Sequence, residues 1–233
     1  LPTLRDGQLV LLENLRFHPE EEDNDEGFAK QLAELATVYV NDAFGAAHRA
    51  HASVEALPRL MKERAMGFLM KAEITHLSKI VEAPEKPFVA VLGGAKVADK
   101  IGVIEALLER SSALCIGGAM ANTLLAARGL DLKKSLLEKD WLARGRTLLE
   151  KAESKGVDVL LPVDVVVAES PEATEGKLAL ASEIPADHMA LDIGPRTLEL
   201  FEKRVKTAKN VFWNGPMGLF ENSAFAAGTL GMA

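Results

Sequence analysis

The residues best suited to chemistry fall into three groups, each beside a predicted strand end. The first is Lys96 and Lys100, placed just after Gly93-Gly94 in PFVAVLGGAKVADKI. Phe88 to Leu92 is apolar without alternation, as suits a strand buried on both faces. The glycines permit a sharp turn and a close ligand. A helix is expected to open near Lys96, with its free N–H groups aimed at whatever lies beyond the strand, a geometry that favours an anion and most often a phosphate. Lysines four residues apart then share one helix face. Their charges oppose the macrodipole by about 0.3–1 kcal/mol each unless an anion is bound. A plain strand–turn–helix with surface lysines is the competing reading.

The second group is Arg16 with Arg49. Arg16 follows a strand predicted over Gln8 to Leu12, and Arg49 lies in NDAFGAAHRAH after a strand predicted over Thr37 to Asn41. Arginine presents a planar fork that binds carboxylate or phosphate bidentately. Strand exits are where open α/β sheets take ligands. A surface arginine is equally open at Arg16. His48 and His51 flank Arg49, but without carboxylates at a metal-binding spacing they leave zinc underliganded. The acidic run Glu20 to Glu26 reads as a solvated loop and helix start. The third group is the loop after Val211 to Trp213. There Met217, Leu219 and Phe220 can wall a flat base and Glu221 can accept hydrogen bonds from ribose hydroxyls. Trp213 itself reads as core.

These groups need a scaffold, and strands alternating with helices supply one. Strands are predicted at Ala113 to Ile116, Val157 to Leu161, Met189 to Ile193 and Val211 to Trp213, with Val163 to Ala168 extended. Helices are predicted over Leu136 to Lys155 and about Thr197 to Lys206. This alternation predicts a parallel α/β sheet. Gly93-Gly94, Gly117-Gly118, Gly194, and Gly215 with Gly218 each follow a strand, and in a parallel sheet such ends share one edge. Their recurrence points to a nucleotide or phosphate ligand. Neither GxGxxG after a strand nor GxxxxGK[ST] occurs, so the dinucleotide fold and the Walker loop lose support. A long helix over Met66 to Glu82, closed by Ala83 to Pro87, is the expected connector between two domains.

Composition sets limits. The 233 residues are 48% hydrophobic, enough for a core, and the net charge of −7 argues against nucleic acid or an anionic membrane as the main partner. The single cysteine, Cys115, sits in an apolar run and reads as core. It allows no internal disulfide, which suits a reducing cytosol. No run reaches membrane-span length. The start at LPTLRDG and the end at AFAAGTLGMA both read as cut, so the chain is expected to be the middle of a longer protein.

Six segments together resemble phosphoglycerate kinases: LLENLRFH, NDAFGAAHRAH, GFLMKAE, LGGAKVADKI, LDIGP and WNGPMGLFE, in that family's order and across nearly the whole chain. The resemblance implies two parallel-sheet, Rossmann-like domains joined by a long helix, each incomplete here. Residues 1–65 would belong to a phosphoglycerate-binding domain, 66–86 to the connecting helix and hinge, and 87–233 to a nucleotide-binding domain. It implies phosphoryl transfer between 1,3-bisphosphoglycerate and ADP, giving 3-phosphoglycerate and ATP, in the cytoplasm, with Mg2+ carried by the nucleotide. Hinge closure would bring the ligands together, and the intact protein would be a monomer. Arg16 and Arg49 would bind phosphoglycerate. Lys96 and Lys100 would act on the transferring phosphate. Gly94, Ala95, Lys100, Asn214, Pro216, Gly218, Leu219 and Glu221 would surround the nucleotide. No residue is assigned to a metal. Ala119 departs from a common third glycine, which narrows the base pocket. The family's opening strand with its Asp–Asn pair, a phosphoryl-stabilising arginine, a His-Gly-Arg motif and a later aspartate loop are not in this sequence. The expectation is therefore an inactive fragment, with a non-catalytic nucleotide-binding module as the alternative.

Overall fold

A computed structural model describes residues 4–82 and 84–233. Ala83, the first residue of the expected helix-closing segment, lies outside them. The chain divides into two compact units, Leu1–Val81 and Glu82–Ala233.

In the first unit, α1 (Pro19–Glu22) and α2 (Glu26–Ala33) precede strand β1 (Val38–Asn41). A π-helical turn at Ala52–Ala56 runs into α3 (Leu57–Leu60). Strand β2 (Glu63–Met66) and helix α4 (Phe68–Glu82) follow. β1 pairs with β2 in parallel, Val38 against Glu63 through Asn41 against Met66. The sequence reading missed β2, because ERAM carries two charges in four residues and no apolar alternation. The strand expected over Gln8 to Leu12 does not form. Among the described residues this stretch pairs with no strand, and Leu9 and Leu11 are over 90% exposed. Leu9 and Leu11 thus stay in solvent, while Val10 and Leu12 are about half covered. The unit's core is small: a cluster of Ala29, Ala52 and Ala56 with Phe28 and Leu57 against them, and the buried Met61 and Met70.

The acidic run is not merely solvated. Glu21 is buried and its carboxylate accepts from the Ser53 amide at 2.9 Å and from the Ser53 hydroxyl. Asn24 accepts from the Ala56 amide at 3.2 Å and donates to the Glu55 carboxylate. Two residues of the run thus hold the π-turn in place, a long-range use of polar side chains that local charge patterning cannot reveal. Asp42 has a comparable task, accepting at 2.9 Å from the Met70 amide in the first turn of α4. It thereby satisfies one of the four amides a helix start leaves open.

The second unit holds β3 (Phe88–Leu92), α5 (Ile101–Leu108), β4 (Ala113–Ile116), α6 (Gly118–Ala127), α7 (Leu142–Ser154) and β5 (Asp158–Leu160). Then come β6 (Asp164–Ala168), β7 (Lys177–Leu180), β8 (Met189–Ile193), α8 (Pro195–Val205), β9 (Asn210–Asn214) and α9 (Ala227–Met232). A parallel sheet runs β5-β4-β3-β9. β3 is flanked on both edges and covered on both faces, so none of its five residues exceeds 1% exposure. Each of its larger side chains gains about 1.5–3 kcal/mol from burial. This is the architecture that the unbroken apolar run foretold.

Two expectations need correction. β6, β7 and β8 form a separate antiparallel sheet, in the order β7-β6-β8. Gly194 after β8 is therefore not on the edge of the parallel sheet. The Gly194-Pro195 turn opens α8, whose first amides, Arg196 and Thr197, are already taken by the buried Asp164 carboxylate at 3.1 and 2.8 Å. Trp213 is not core. β9 is an edge strand, and Trp213 is 37% exposed, with its indole N–H donating to the Gly215 carbonyl at 2.7 Å. Cys115 is wholly buried, and burial pushes its thiol up to about 12, which fits a packing residue.

Candidate functional site

The turns after β3, β4 and β9 close on one another. The Gly93 amide donates to Asn214 O at 3.0 Å, Gly118 N to Met217 O at 2.8 Å, and Met120 N to Gly94 O at 3.1 Å. Glycine is required by this crowding. A methyl group on Gly93 would overlap the Pro216 carbonyl, and one on Gly215 would overlap the Gly93 carbonyl. Gly94 and Gly215 also hold φ of +110° and +92°, where side chains are rarely tolerated. The three turns therefore make one rigid edge built of backbone.

Lys100 stands over that edge. The helix does not open near Lys96. A short 3-10 turn, Ala98–Lys100, leads into α5 at Ile101, so Lys100 is the N-cap of α5 and Lys96 lies in the loop before it. The expected shared helix face of Lys96 and Lys100 does not exist, because the glycine turn consumes more chain before the helix starts. Lys96 is exposed. The Lys100 ammonium donates to Gly93 O at 2.9 Å and to the Asn214 side-chain oxygen at 2.5 Å. Burial holds its pKa below the usual lysine range. Desolvation disfavours the charged form, and a neighbouring anion would restore it.

Beside the lysine opens a cleft of about 280 Å3. Gly94, Ala95, Pro216, Gly218, Leu219 and Glu221 line it, six of the residues singled out from sequence. Asn214 joins this group through its bond to Lys100. Much of the remaining wall was not legible. Pro162, Val165, Pro171 and Met189 come from β6, β8 and the segments around them, and Leu136 from the connection between α6 and α7. Each is an ordinary apolar residue whose placement depends on a second sheet. Ala119 and Met217 line the cleft too, and Met217 is wholly buried beneath the glycine edge. Phe220, expected in the wall, is instead half exposed and outside the lining.

Asp192, at the cleft wall, was missed. It is 4% exposed and accepts from the Ile193 amide at 2.9 Å and the Gly228 amide at 2.7 Å. Burial raises its pKa to about 6, against the lowering effect of those two donors. Glu138 was missed as well. Its carboxylate accepts from the amides of Val97 and Ala98, between the glycine turn and Lys100. No local motif marks either acid. Just after β6 and just before β8, donor atoms of Glu169, Asp187 and His188 lie within 4.8 Å of one another, and the buried His188 ring already meets Asp187 at 2.8 Å.

In the first unit, Arg16 lies in a 3-10 turn, Leu15–Phe17, begun by Asn14 accepting from the Arg16 amide at 3.1 Å. Arg49 follows the turn Phe44–Ala46, its amide bonded to Ala46 O at 3.0 Å. Both side chains and His48 are exposed, and among the described residues neither guanidinium pairs with a carboxylate. They remain available to an external anion.

The phosphoglycerate kinase family model matches residues 1–233. The chain belongs to the phosphoglycerate kinase family. A phosphoglycerate kinase of Anaeromyxobacter sp. (strain K) is 54% identical over 231 residues, covering 99% of this chain and 58% of the relative. One from Acidobacterium capsulatum is 53% identical over 232 residues, with 57% of it covered. Among solved structures, phosphoglycerate kinase from Coxiella burnetii aligns with a TM-score of 0.84 at 40% identity, over 97% of this chain and 58% of that one. That of Pyrococcus horikoshii OT3 aligns at 0.80 with 31% identity, over 99% and 60%. The chain thus spans a little under three-fifths of the curated phosphoglycerate kinases described here. Their structures agree with an α/β fold built on parallel sheets.

Proposed function

We propose that the polypeptide carrying this sequence is a kinase that moves a phosphoryl group between 1,3-bisphosphoglycerate and Mg-ADP, giving 3-phosphoglycerate and Mg-ATP, in glycolysis. The observation that carries the reading is the single backbone edge made by three glycine turns, with Lys100 over it and an apolar cleft beside it. The apolar wall suits a base. Glu221 on the lining suits ribose hydroxyls, and the Gly94–Ala95 backbone allows phosphates to approach. Lys100 is the nucleotide-side cation and Lys96 the looser one. Arg16 and Arg49 are the acid-side cations, in the domain taken as 1–65, and residues 66–86 are taken as the connecting helix and hinge. Phosphoryl transfer asks little covalent chemistry of a protein, and positioning with charge stabilisation supplies most of the rate. Magnesium enters with the nucleotide as substrate.

Among the described residues no helix is long and apolar enough to cross a membrane. A cytoplasmic monomer remains the reading from composition and resemblance.

Turnover is expected only from a chain of the relatives' full length, and the 233-residue chain alone is expected to bind ADP weakly without catalysis. Isothermal titration with Mg-ADP, NAD and 3-phosphoglycerate, beside a coupled assay of both lengths, tests this. ADP binding without turnover in the short chain, and turnover in the long one, is the expected result. NAD binding in place of ADP overturns the kinase reading. No turnover in a folded long chain that binds ADP favours a non-catalytic nucleotide module.

A further inference from the structure

The arm leading to Glu138 is fixed on three sides. Ser135 accepts from the Ala190 amide of β8 at 2.9 Å through its hydroxyl. The Asn122 side chain, buried in α6, donates to Leu136 O at 3.2 Å. The wholly buried Thr123 hydroxyl accepts from the Glu138 amide at 3.1 Å and donates to Ala119 O at 3.3 Å. The arm puts Leu136 into the cleft wall and sends the Glu138 carboxylate across to the lysine loop. There one carboxylate oxygen receives both the Val97 and the Ala98 amides.

These two amides, of the N-cap Val97 and the first residue Ala98, are open donors at the start of the 3-10 turn that ends at Lys100. An internal carboxylate satisfies them. This anion slot is therefore filled by the protein itself, and an external phosphate is left to the Gly94–Ala95 backbone and the lysines. Two charge-assisted bonds on one oxygen also fix the loop at the midpoint between Gly94 and Lys100. No other side chain among the described residues bonds to the amides of residues 95–98.

We propose that Glu138 is a positioning residue for the lysine loop, coupling the apolar wall that receives the base to the cations that receive the phosphates. It does not touch the nucleotide. Its effect is exerted through Val97 and Ala98 on Lys96 and Lys100. The inference rests on the nucleotide reading of the cleft. It implies that loss of Glu138 weakens the phosphate half of a nucleotide and spares the base half. Gln, whose single carbonyl oxygen can accept both amides, should substitute for it.

The test measures calorimetric binding of Mg-ADP and of adenosine to the 233-residue chain and to its Glu138→Ala and Glu138→Gln variants. Amide exchange at Val97 and Ala98 is followed by NMR in parallel. Glu138→Ala should weaken Mg-ADP by about tenfold or more. Adenosine binding should be unchanged within about twofold, and the two amides should exchange at least about tenfold faster while those of Phe88–Leu92 stay protected. Glu138→Gln should keep Mg-ADP within about threefold of the parent. Equal loss of adenosine and ADP, or a Gln variant as weak as Ala, overturns the positioning role. If the parent binds no ADP, the nucleotide reading itself has failed. Amide exchange then decides about Glu138 alone, and unchanged exchange at Val97 and Ala98 in Glu138→Ala rejects it.

Discussion

The two units use the same materials to different ends. In the second unit the apolar run of β3 is enclosed on every side, and three glycine turns lock into one edge. Before Val81 the paired strands leave Val38 and Val40 about half exposed, and the described core is a cluster of three alanines with two partly buried neighbours, plus Met61 and Met70. In the second unit backbone–backbone contacts hold the site. In the first, isolated polar side chains join the elements: Glu21, Asn24 and Asp42 bridge to distant amides of the π-turn and of α4. A site made of crowded backbone tolerates little change. A site made of exposed arginines on short turns can lose one side chain and keep its fold.

The largest contrast is expected at glycine. Gly93→Ala drives a methyl into the Pro216 carbonyl. Because backbone must move, the cost is about 3 kcal/mol, at the upper end for overpacking. In the first unit Gly45 has nothing within 4 Å of an added Cβ, and Gly45→Ala should stay within about 0.5 kcal/mol of the parent. Urea unfolding of both variants checks the pair. Similar costs would erase the distinction between the units.

Function should divide along the same line. Lys100→Ala removes a cation already held by Gly93 and Asn214, and should weaken ADP roughly ten- to hundredfold with the fold intact. Arg16→Ala or Arg49→Ala, made in a chain of the relatives' full length, should weaken 3-phosphoglycerate by roughly ten- to hundredfold and leave ADP nearly unaltered. Titration calorimetry on each variant with both ligands reads the division. An arginine variant that weakens ADP alone would overturn the acid-side role proposed for that residue.

The smallest effect concerns Asp192. Its folded pKa of about 6 lies above the ordinary 3.8, so between those values the folded chain binds more protons than the unfolded one. The associated stability is present at low pH and is lost as pH rises through about 4 to about 6. Asp192→Asn should flatten that slope in urea melts taken across the window. An unchanged slope would assign it to other groups.

The same contrast explains what the sequence disclosed. The all-apolar Phe88 to Leu92 and the glycine turns at 93–94, 117–118 and 215–218 are local signals, and a parallel sheet and the glycine side of the cleft follow from them. What stayed hidden was long-range. Glu138 and Asp192 act on amides 41 and 36 residues away, and nothing near them in sequence announces it. The antiparallel β6-β7-β8 sheet was hidden for a related reason. Its strands carry the same Val-rich and mixed patterns as parallel ones, and only the pairing separates them. In the first unit, Gln8 to Leu12 has strand composition but no strand to pair with among the described residues, so composition alone misled.

The central claim is that the nucleotide belongs to the glycine edge of the second unit. Hydrogen exchange of the 233-residue chain with and without saturating Mg-ADP tests it most directly. The account predicts added protection at residues 93–100, 117–120 and 214–221, and none before residue 82. Protection concentrated around Arg16 and Arg49, with the glycine edge unchanged, would contradict it.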